Sequence, residues 1–159
     1  EALETARDKI HLYIELMGRT ADRKMVEDLY RMVKAKGMLD QCAFISLDYD
    51  IINYMESKHP DAETIYLCYY SFGDIGRLNV DGIGLEAESA TDSNIRKIHK
   101  YGKRVDVWTC NVHNIIMQFL MSDVDGIITD EVESTQFLKN TFKDSTDINR
   151  IINWLRPES

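Results

Sequence analysis

The chain has 159 residues, of which 44% are hydrophobic, and carries 27 acidic against 19 basic side chains, a formal net charge of −8. This length is sufficient for one domain with a real hydrophobic core. The negative charge argues against a nucleic-acid partner, because binding to a phosphate backbone requires clustered Lys and Arg. No apolar run approaches the ~20 residues of a membrane-spanning helix, so the composition predicts a soluble domain.

Strand and helix signals alternate from one end of the chain to the other. Apolar, β-branched and aromatic runs predict strands at residues 11–17, 42–47, 64–70, 82–87, 104–109 and 126–129. Amphipathic spacing and capping residues predict helices from Thr20 to Gly37, over residues 50–58, after Thr91 or Asp92, over 114–122 and over 136–142. Residues 147–155 are either a further helix or a tail that needs a partner.

The alternation of strands and helices predicts one parallel sheet, because parallel strands are joined by crossover helices. The sheet is either a partial barrel or an open sheet, with right-handed crossovers. There is no linker, low-complexity stretch or internal repeat, which indicates a single domain over residues 1–159.

Three cysteines, Cys42, Cys68 and Cys110, all lie inside strand-like apolar runs. Their odd number and the absence of a C-x-x-C pair argue against a disulfide framework. We expect them to be buried, free thiols that pack as small hydrophobic side chains.

Glu15 and Trp108 are candidate site residues, because ligands of parallel sheets and barrels bind at the carboxyl ends of strands. Glu15 lies in an apolar strand, where a carboxylate is unfavourable unless it is paired or bound to a metal. Alternation places it on the same face as His11 and Tyr13. On the residues alone, a solvent-facing or salt-bridged Glu15 is favoured over a metal ligand, and Trp108 is favoured as a core residue over a ligand platform.

Other polar residues at strand ends are predicted to do structural work. Asn111 is either a pocket residue or a helix cap, with the cap favoured. Asp48 is predicted to cap a helix rather than bind a metal, and Asp130 to cap the following turn. Ser46 ends its strand on the presumed ligand face.

Several collinear motifs resemble the glycerophosphodiester phosphodiesterase family over most of residues 9–132. They are Trp108-Thr109-Cys110-Asn111, the later Asp125-Gly126-Ile127-Ile128-Thr129-Asp130, the segment Ile14-Glu15-Leu16-Met17 and the segment Ile45-Ser46-Leu47-Asp48. The resemblance implies a (β/α) TIM-barrel-like fold and the hydrolysis of glycerophosphodiesters to glycerol 3-phosphate and an alcohol. The finer pattern is similar to the branch with a membrane-embedded N-terminal region, so the parent protein could be membrane-anchored.

The resemblance also assigns two site residues. Glu15 corresponds to the Glu of the family's I-E-[IL]-K strand, a ligand of the divalent cation, Mg²⁺ or Ca²⁺. Trp108 corresponds to the Trp that lines the pocket against the glycerol moiety. The family has Lys where this chain has Met17, and we expect Met17 to pack in the core.

The family's acid, base and remaining cation ligands come from H-R-G, H-D and E-x-D segments on its first strands, and this chain contains none of them. A complete barrel typically needs about 250 residues. We therefore expect an incomplete barrel that lacks the first strands, either part of a longer protein or a degenerate relative. No catalytic residue is assigned to this chain, which is expected to be inactive alone.

A non-catalytic binding or structural module derived from the same barrel is the alternative function. In either case two sheet edges are left unpaired, which favours association. The sequence thus predicts a homo-oligomer, strand exchange, or a further N-terminal segment that completes the sheet.

Overall fold

The computed structural model describes residues 1–17, 22–69 and 73–141. Six strands form one sheet in which every neighbouring pair is parallel and the spatial order equals the order in the chain. The strands are β1 (Leu12–Glu15), β2 (Cys42–Ser46), β3 (Glu63–Cys68), β4 (Gly82–Glu86), β5 (Arg104–Trp108) and β6 (Gly126–Ile127). All six predicted strands are confirmed, each to within two residues at its ends.

Helices precede, connect and follow the strands. They are α1 (Ala2–Ala6), α2 (Arg23–Ala35), α3 (Tyr49–Lys58), α4 (Asp92–His99), α5 (His113–Leu120) and α6 (Val132–Thr141), with short 3₁₀ turns at Leu39–Gln41, Ile75–Arg77 and Ala87–Ser89. Asp22 caps α2, because its carboxylate accepts a hydrogen bond from the Met25 amide at 2.8 Å. The predicted cap Thr20 and the predicted segment 147–155 lie outside the described residues. None of the helices in the described part is both long and apolar enough to cross a membrane.

The sheet is covered by apolar side chains on both faces, as expected for parallel strands. On the outer face, Phe44, Ile83 and Val107 belong to a large cluster that includes helix residues. On the inner face, a smaller cluster is formed by the buried residues Ala43, Ile45, Ile65 and Leu67, with the partly buried Tyr13, Trp108 and Ile128 packed against it. The two-residue period of a strand therefore separates helix-facing from inward-facing positions.

A hydrogen bond between non-adjacent strands shows that the sheet is curled. The Tyr13 hydroxyl of β1 donates to Asp106 Oδ2 of β5 at 2.8 Å, although three strands lie between them in the sheet. In a flat sheet, four strand spacings would separate β1 from β5 by about 19 Å, beyond the reach of these side chains. The six strands thus form a half-barrel, and the predicted incomplete TIM-barrel-like fold is confirmed.

Arg104 also binds Asp106, since its Nε donates to Asp106 Oδ1 at 2.8 Å. Tyr13, Asp106 and Arg104 together form a hydrogen-bonded brace between β1 and β5. Gly126 of β6 lies directly against it, and a methyl group added there would clash with Asp106 Oδ1 and come within 2.8 Å of Arg104 Nη2. The absence of a side chain at Gly126 therefore leaves room for the buried carboxylate.

Gly126→Ala is expected to lower the free energy of unfolding by about 1–3 kcal/mol, because the new methyl group forces the Asp106–Arg104 pair apart. Urea denaturation followed by circular dichroism measures this change. In an Asp106→Ala background the clashing oxygen is absent, so the same substitution should have a much smaller effect. Equal losses in both backgrounds would contradict the steric explanation.

The three cysteines are free and buried, as the sequence predicts. Burial raises the pKa of the Cys68 and Cys110 thiols to about 11. Both thiols are therefore protonated at neutral pH and poor nucleophiles.

Asp125, next to the start of β6, links that strand to β5 and α4. Its Oδ2 accepts a hydrogen bond from the Val105 amide at 2.8 Å and lies 3.0 Å from His99 Nε2. Burial raises the pKa of Asp125, but the bonds to Val105 and His99 outweigh this effect, and the pKa lies below its ordinary value.

Asp125 is therefore expected to contribute stability that disappears in acid. Because its pKa is lower in the folded state, the contribution is present above the unfolded-state pKa of about 3.9 and is lost as the pH falls through the folded-state value. We expect Asp125→Asn to be less stable than the parent chain at pH 6, and the difference to shrink below about pH 4. Urea midpoints measured across this range test it, with the exposed neighbour Asp123→Asn as the matched control.

Candidate active site at the strand ends

The carboxyl ends of the strands bring a group of inward-facing side chains to one rim of the half-barrel. Strand alternation assigns to this rim six residues, called the mouth residues below: Glu15, Met17, Leu47, Tyr69, Glu86 and Trp108. They combine two carboxylates with four large apolar or aromatic side chains. The mouth is thus amphipathic, with charge and apolar surface side by side.

Glu15 is the last residue of β1 and pairs in register with Ile45 of β2. Its side chain is exposed at the mouth, and its carboxylate makes no hydrogen bond or ion pair with the residues that the structure describes. Oxygen ligands of this kind suit a hard cation such as Mg²⁺ or Ca²⁺. Within the described ranges no group of three acidic, His or Cys side chains is placed to hold a metal, so Glu15 would supply one ligand of several. Its role as a cation ligand stays a prediction.

Trp108 ends β5 and is half-buried, with one side of the ring packed on the inner cluster. Its Nε1 donates to the Gly84 carbonyl at 2.9 Å, which fixes the plane of the indole. A Cβ at Gly84 would clash with Leu67 Cδ2 at 2.5 Å and lie 3.3 Å from Trp108 Cδ1, so the glycine leaves room for both side chains. Trp108 therefore packs in the interior and also reaches the mouth, and its contact with substrate stays a prediction.

The prediction that Met17 packs in the core is wrong, because its side chain is 64% exposed. β1 ends at Glu15, and Met17 lies two residues further along the same face, above the inner cluster. The next buried residue on this segment is Leu16, on the opposite face. The position where the family has Lys is thus occupied by an exposed thioether at the mouth.

The prediction that Asn111 caps a helix is also wrong. In the described structure α5 is preceded by Val112, with no side-chain cap. Instead, Asn111 Nδ2 donates to Asp130 Oδ2 at 2.6 Å, and Asn111 Oδ1 accepts from the Asp130 amide at 2.9 Å. Asn111 thus ties the end of β5 to the end of β6, and Asp130 acts as its structural partner rather than as a cap.

Asp48 caps α3, as predicted, because its Oδ1 accepts from the Asp50 amide at 3.0 Å. Ser46 does not lie on the ligand face, in contrast to the prediction. It is fully buried, and its hydroxyl donates to the Leu16 carbonyl at 2.7 Å. The reason is the strand period: a shift of one residue, from Leu47 to Ser46, moves the side chain to the opposite face.

Three mouth residues, Leu47, Tyr69 and Glu86, were assigned no role from the sequence. Tyr69 is 54% exposed, and its ring meets that of Trp108 edge to face with 5.0 Å between centroids. Glu86 ends β4, and its Oε2 accepts from the Glu88 amide at 2.9 Å. The two-residue period of the strand could have predicted Tyr69 at the mouth, because Tyr69 lies two residues beyond the inward-facing Leu67.

A groove of 820 Å³ runs along the open side of the half-barrel, between the outer edges of β1 and β6, which pair with no further strand in the part of the chain that the structure describes. His11 and Tyr13 line it on one side, and β6, α5 and α6 on the other, with apolar side chains such as Met117 and Val132. Unpaired strand edges beside apolar surface are a template for further polypeptide.

Comparisons with known proteins agree with this architecture. A similar fold is found in a proposed glycerophosphodiester phosphodiesterase from Galdieria sulphuraria, at 17% identity and a TM-score of 0.78, over 87% of this chain and 61% of that one. A glycerophosphodiester phosphodiesterase from Parabacteroides distasonis is also similar, at 21% identity and a TM-score of 0.77, over 86% of this chain and 60% of that one. A third is an Oleispira antarctica phosphodiesterase solved with the product sn-glycerol-3-phosphate (14%, 0.61, 79% and 53%). This chain thus spans between half and two-thirds of these relatives. At such identities the likeness shows the fold alone.

A search of curated protein sequences found no match. The model of the glycerophosphoryl diester phosphodiesterase family, however, matches residues 5–134, more than four-fifths of the chain. That range includes all six strands and every mouth residue. The chain belongs to the glycerophosphoryl diester phosphodiesterase family.

Proposed function

We propose that this chain contributes the cation-binding and glycerol-binding part of a glycerophosphodiester phosphodiesterase active site. The complete enzyme would hydrolyse glycerophosphodiesters to glycerol 3-phosphate and an alcohol. The observation that carries the proposal is the exposed Glu15 carboxylate at the same strand-end mouth as Trp108, in a chain of this family. The product held by the Oleispira antarctica relative supports a glycerophosphate ligand.

In this proposal each residue has a distinct part. Glu15 provides one oxygen ligand for Mg²⁺ or Ca²⁺, and a bound cation stabilises negative charge on the phosphoryl oxygens. Trp108, held by its bond to Gly84, provides an apolar wall against the glycerol carbons. Met17 cannot stabilise developing negative charge, which a lysine at this position would do.

Hydrolysis also requires an acid and a base within hydrogen-bond reach of the reacting oxygens. We assign both to polypeptide that fills the open side of the half-barrel. A closed TIM barrel has eight strands, so two strands would complete the six described here. The groove between β1 and β6 offers them an apolar surface and two strand edges that are unpaired among the described residues. We propose a segment of the same protein, rather than a second copy, as its occupant. We also propose that the complete protein is anchored in a membrane.

A non-catalytic module is the second candidate. Two observations favour it: Met17 stands where the family has a cation, and the described residues hold no complete metal cluster. Such a module would bind a glycerophosphate-like ligand at the mouth without cleaving it.

Release of glycerol 3-phosphate from glycerophosphocholine, in excess Mg²⁺ and then Ca²⁺, separates these readings. We expect no release by the chain alone, and release when the N-terminal strands of the Parabacteroides distasonis relative are fused ahead of Glu1. The product is quantified with glycerol-3-phosphate dehydrogenase, and the unfused strands serve as the control.

Two outcomes would contradict the proposal. If the folded fusion binds sn-glycerol 3-phosphate but never cleaves the diester, the module is the correct function. If the chain alone releases product and Glu15→Ala abolishes the release, the chain holds its own acid and base.

A further inference from the structure

Basic side chains are concentrated around α4, although the chain as a whole is acidic. Residues 96–104 hold five of the 19 Lys and Arg side chains, and no acidic residue lies between Asp92 and Asp106. Two of the five, Lys103 and Arg104, are used within the fold, by hydrogen bonds to a backbone carbonyl and to Asp106. The other three remain for a separate role.

These three side chains share one side of the helix. α4 buries Ile95 and Ile98 in the large outer cluster. Steps of about 100° per residue place Arg96, Lys97 and Lys100 on the opposite side, where all three are exposed. They are called the basic face below.

Ion pairing distinguishes the basic face from the basic residues of α2. On α2, Lys24 and Arg31 both pair with Asp28, and Lys34 pairs with Asp61. No side chain of the basic face forms an ion pair with a carboxylate in the part of the chain that the structure describes. The α2 cations are therefore neutralised locally, whereas those of the basic face are not.

Two carboxylates near the C-terminal end of α4 are already engaged, Asp125 by His99 and Asp74 by Arg77. The helix dipole favours cations in the last turn of α4. It favours them equally at the end of α2, where Lys34 nevertheless has an acidic partner. The dipole thus explains the position of the basic face but not its lack of partners, and three charges are left for an external anion.

An anionic lipid surface suits the basic face better than a nucleic acid does. Nucleic-acid binding accumulates many phosphate contacts, and the remaining surface of a chain with a net charge of −8 repels a polyanion. The outer side of one helix can lie on a flat bilayer, where each Lys or Arg near anionic headgroups raises affinity about fivefold. Tyr101, which follows the basic face, is 43% exposed, and Tyr is enriched at the headgroup level of membranes.

We propose that the basic face of α4 docks on the surface of a bilayer that contains anionic phospholipids. Lys100 lies four residues before β5 begins at Arg104, so the basic face lies towards the amino ends of the strands. The mouth lies at their carboxyl ends and stays open to ligand. The inference does not rest on the proposed function, because it uses none of the mouth residues.

Cosedimentation with vesicles tests this docking. The whole chain is mixed with vesicles of phosphatidylcholine, or of phosphatidylcholine with about 30% phosphatidylserine, at about 50 mM salt. We expect the partition coefficient to be about a hundredfold higher for the anionic vesicles, from three charges at about fivefold each. This excess should disappear at about 500 mM salt, because exposed charges are then screened.

Neutralisation of the basic face, in the variant Arg96→Gln/Lys97→Gln/Lys100→Gln, should abolish the excess. The matched control neutralises three ion-paired cations of α2 and changes the net charge equally, and it should keep the excess: Lys24→Gln/Arg31→Gln/Lys34→Gln. Circular dichroism verifies that both variants are folded. Arg96→Lys, which preserves the charge, should bind as the parent chain does.

A fluorescent label identifies the surface that meets the bilayer. The native cysteines are buried, so a thiol-reactive, polarity-sensitive dye attaches to an introduced cysteine. Ser93→Cys lies on the same side of α4 as the basic face, whereas Met32→Cys lies on the exposed side of α2. We expect anionic vesicles to shift the emission of the dye at position 93 to the blue and to leave the dye at position 32 unchanged.

The outcomes are decisive for the basic face. No binding, equal binding to both kinds of vesicle, or equal losses in the two triple variants would overturn the inference. Binding of a DNA duplex or an acidic peptide through the basic face, without binding of vesicles, would assign it a different partner and also overturn it. Release of glycerol 3-phosphate is measured without vesicles, so failure of either proposal leaves the other standing.

Discussion

Glu15→Gln is expected to lower kcat/KM for glycerophosphocholine by at least about a hundredfold in the completed barrel described above. The substitution keeps the shape of the side chain but replaces an anionic oxygen ligand by a neutral amide, which binds a hard cation weakly. Loss of groups that only support a metal ligand already reduces affinity or activity by about 10- to 100-fold, so loss of a ligand should have no smaller effect. The activity should recover in part at high Ca²⁺ or Mg²⁺, because the defect lies in cation affinity.

The substitution is not expected to unfold the chain, because Glu15 is exposed and its carboxylate makes no hydrogen bond or ion pair with the described residues. Glu63→Gln is the matched control. Glu63 also faces inward, but it begins β3 at the opposite end of the half-barrel, where its carboxylate lies 3.6 Å from His11 Nε2. Activity of Glu15→Gln equal to that of the control, at every cation concentration, would remove Glu15 from the metal site.

Asp106→Ala is expected to lower the free energy of unfolding by about 2–4 kcal/mol, the largest stability effect predicted for a polar residue here. Asp106 is 1% exposed, and its two oxygens accept from Tyr13 and Arg104. Burial raises the pKa of Asp106, and the bonds from Tyr13 and Arg104 oppose this effect. Removal of the carboxylate leaves a half-buried hydroxyl and a guanidinium without their partner.

The loss should stay below that of a fully buried ion pair, because the Arg104 side chain is 38% exposed and water can solvate it. Asp106→Asn keeps the shape and one acceptor oxygen, so we expect a smaller loss. Tyr13→Phe should cost about 1–2 kcal/mol, and its effect should be non-additive with that of Asp106→Ala. Urea denaturation of the parent chain, the three single variants and the Tyr13→Phe/Asp106→Ala double variant measures these losses. Additive losses in the double variant would show that Tyr13 and Asp106 do not act as one brace.

The sequence was sufficient for the strands because each is a short apolar run with polar residues or turn residues at its ends. Parallel pairing followed from the helices between most successive strands. The connection from β3 to β4 is the exception, since its described residues hold only the 3₁₀ turn Ile75–Arg77. The curl of the sheet could not be predicted, because its clearest mark is a hydrogen bond between residues 93 positions apart. Local composition also fails to tell two carboxylates apart: Glu15 and Asp106 both lie in apolar strands, yet the first is exposed and the second is buried.

The wrong predictions for the site share a physical origin at the ends of strands. Met17 continues an apolar run, but it lies beyond the last residue of β1, where the described residues leave it 64% exposed, so hydrophobicity alone does not bury it. Asn111 has the residue type of a cap and precedes a helix, yet a partner distant in sequence, Asp130, competes for its amide group. Ends of strands are where tertiary contacts outweigh local preference, and they are also where the candidate site lies.

The identity of spatial and chain order in the sheet has a consequence for how the molecule assembles. Each strand pairs with the one synthesised just before it, across partners 17 to 30 positions apart, so the sheet can grow strand by strand as the chain emerges from the ribosome. The bond from Tyr13 to Asp106 is different, since it closes a loop that includes four strand-to-strand connections. We expect stepwise growth of the sheet first and the inward curl last, which makes formation of the mouth a late event in folding.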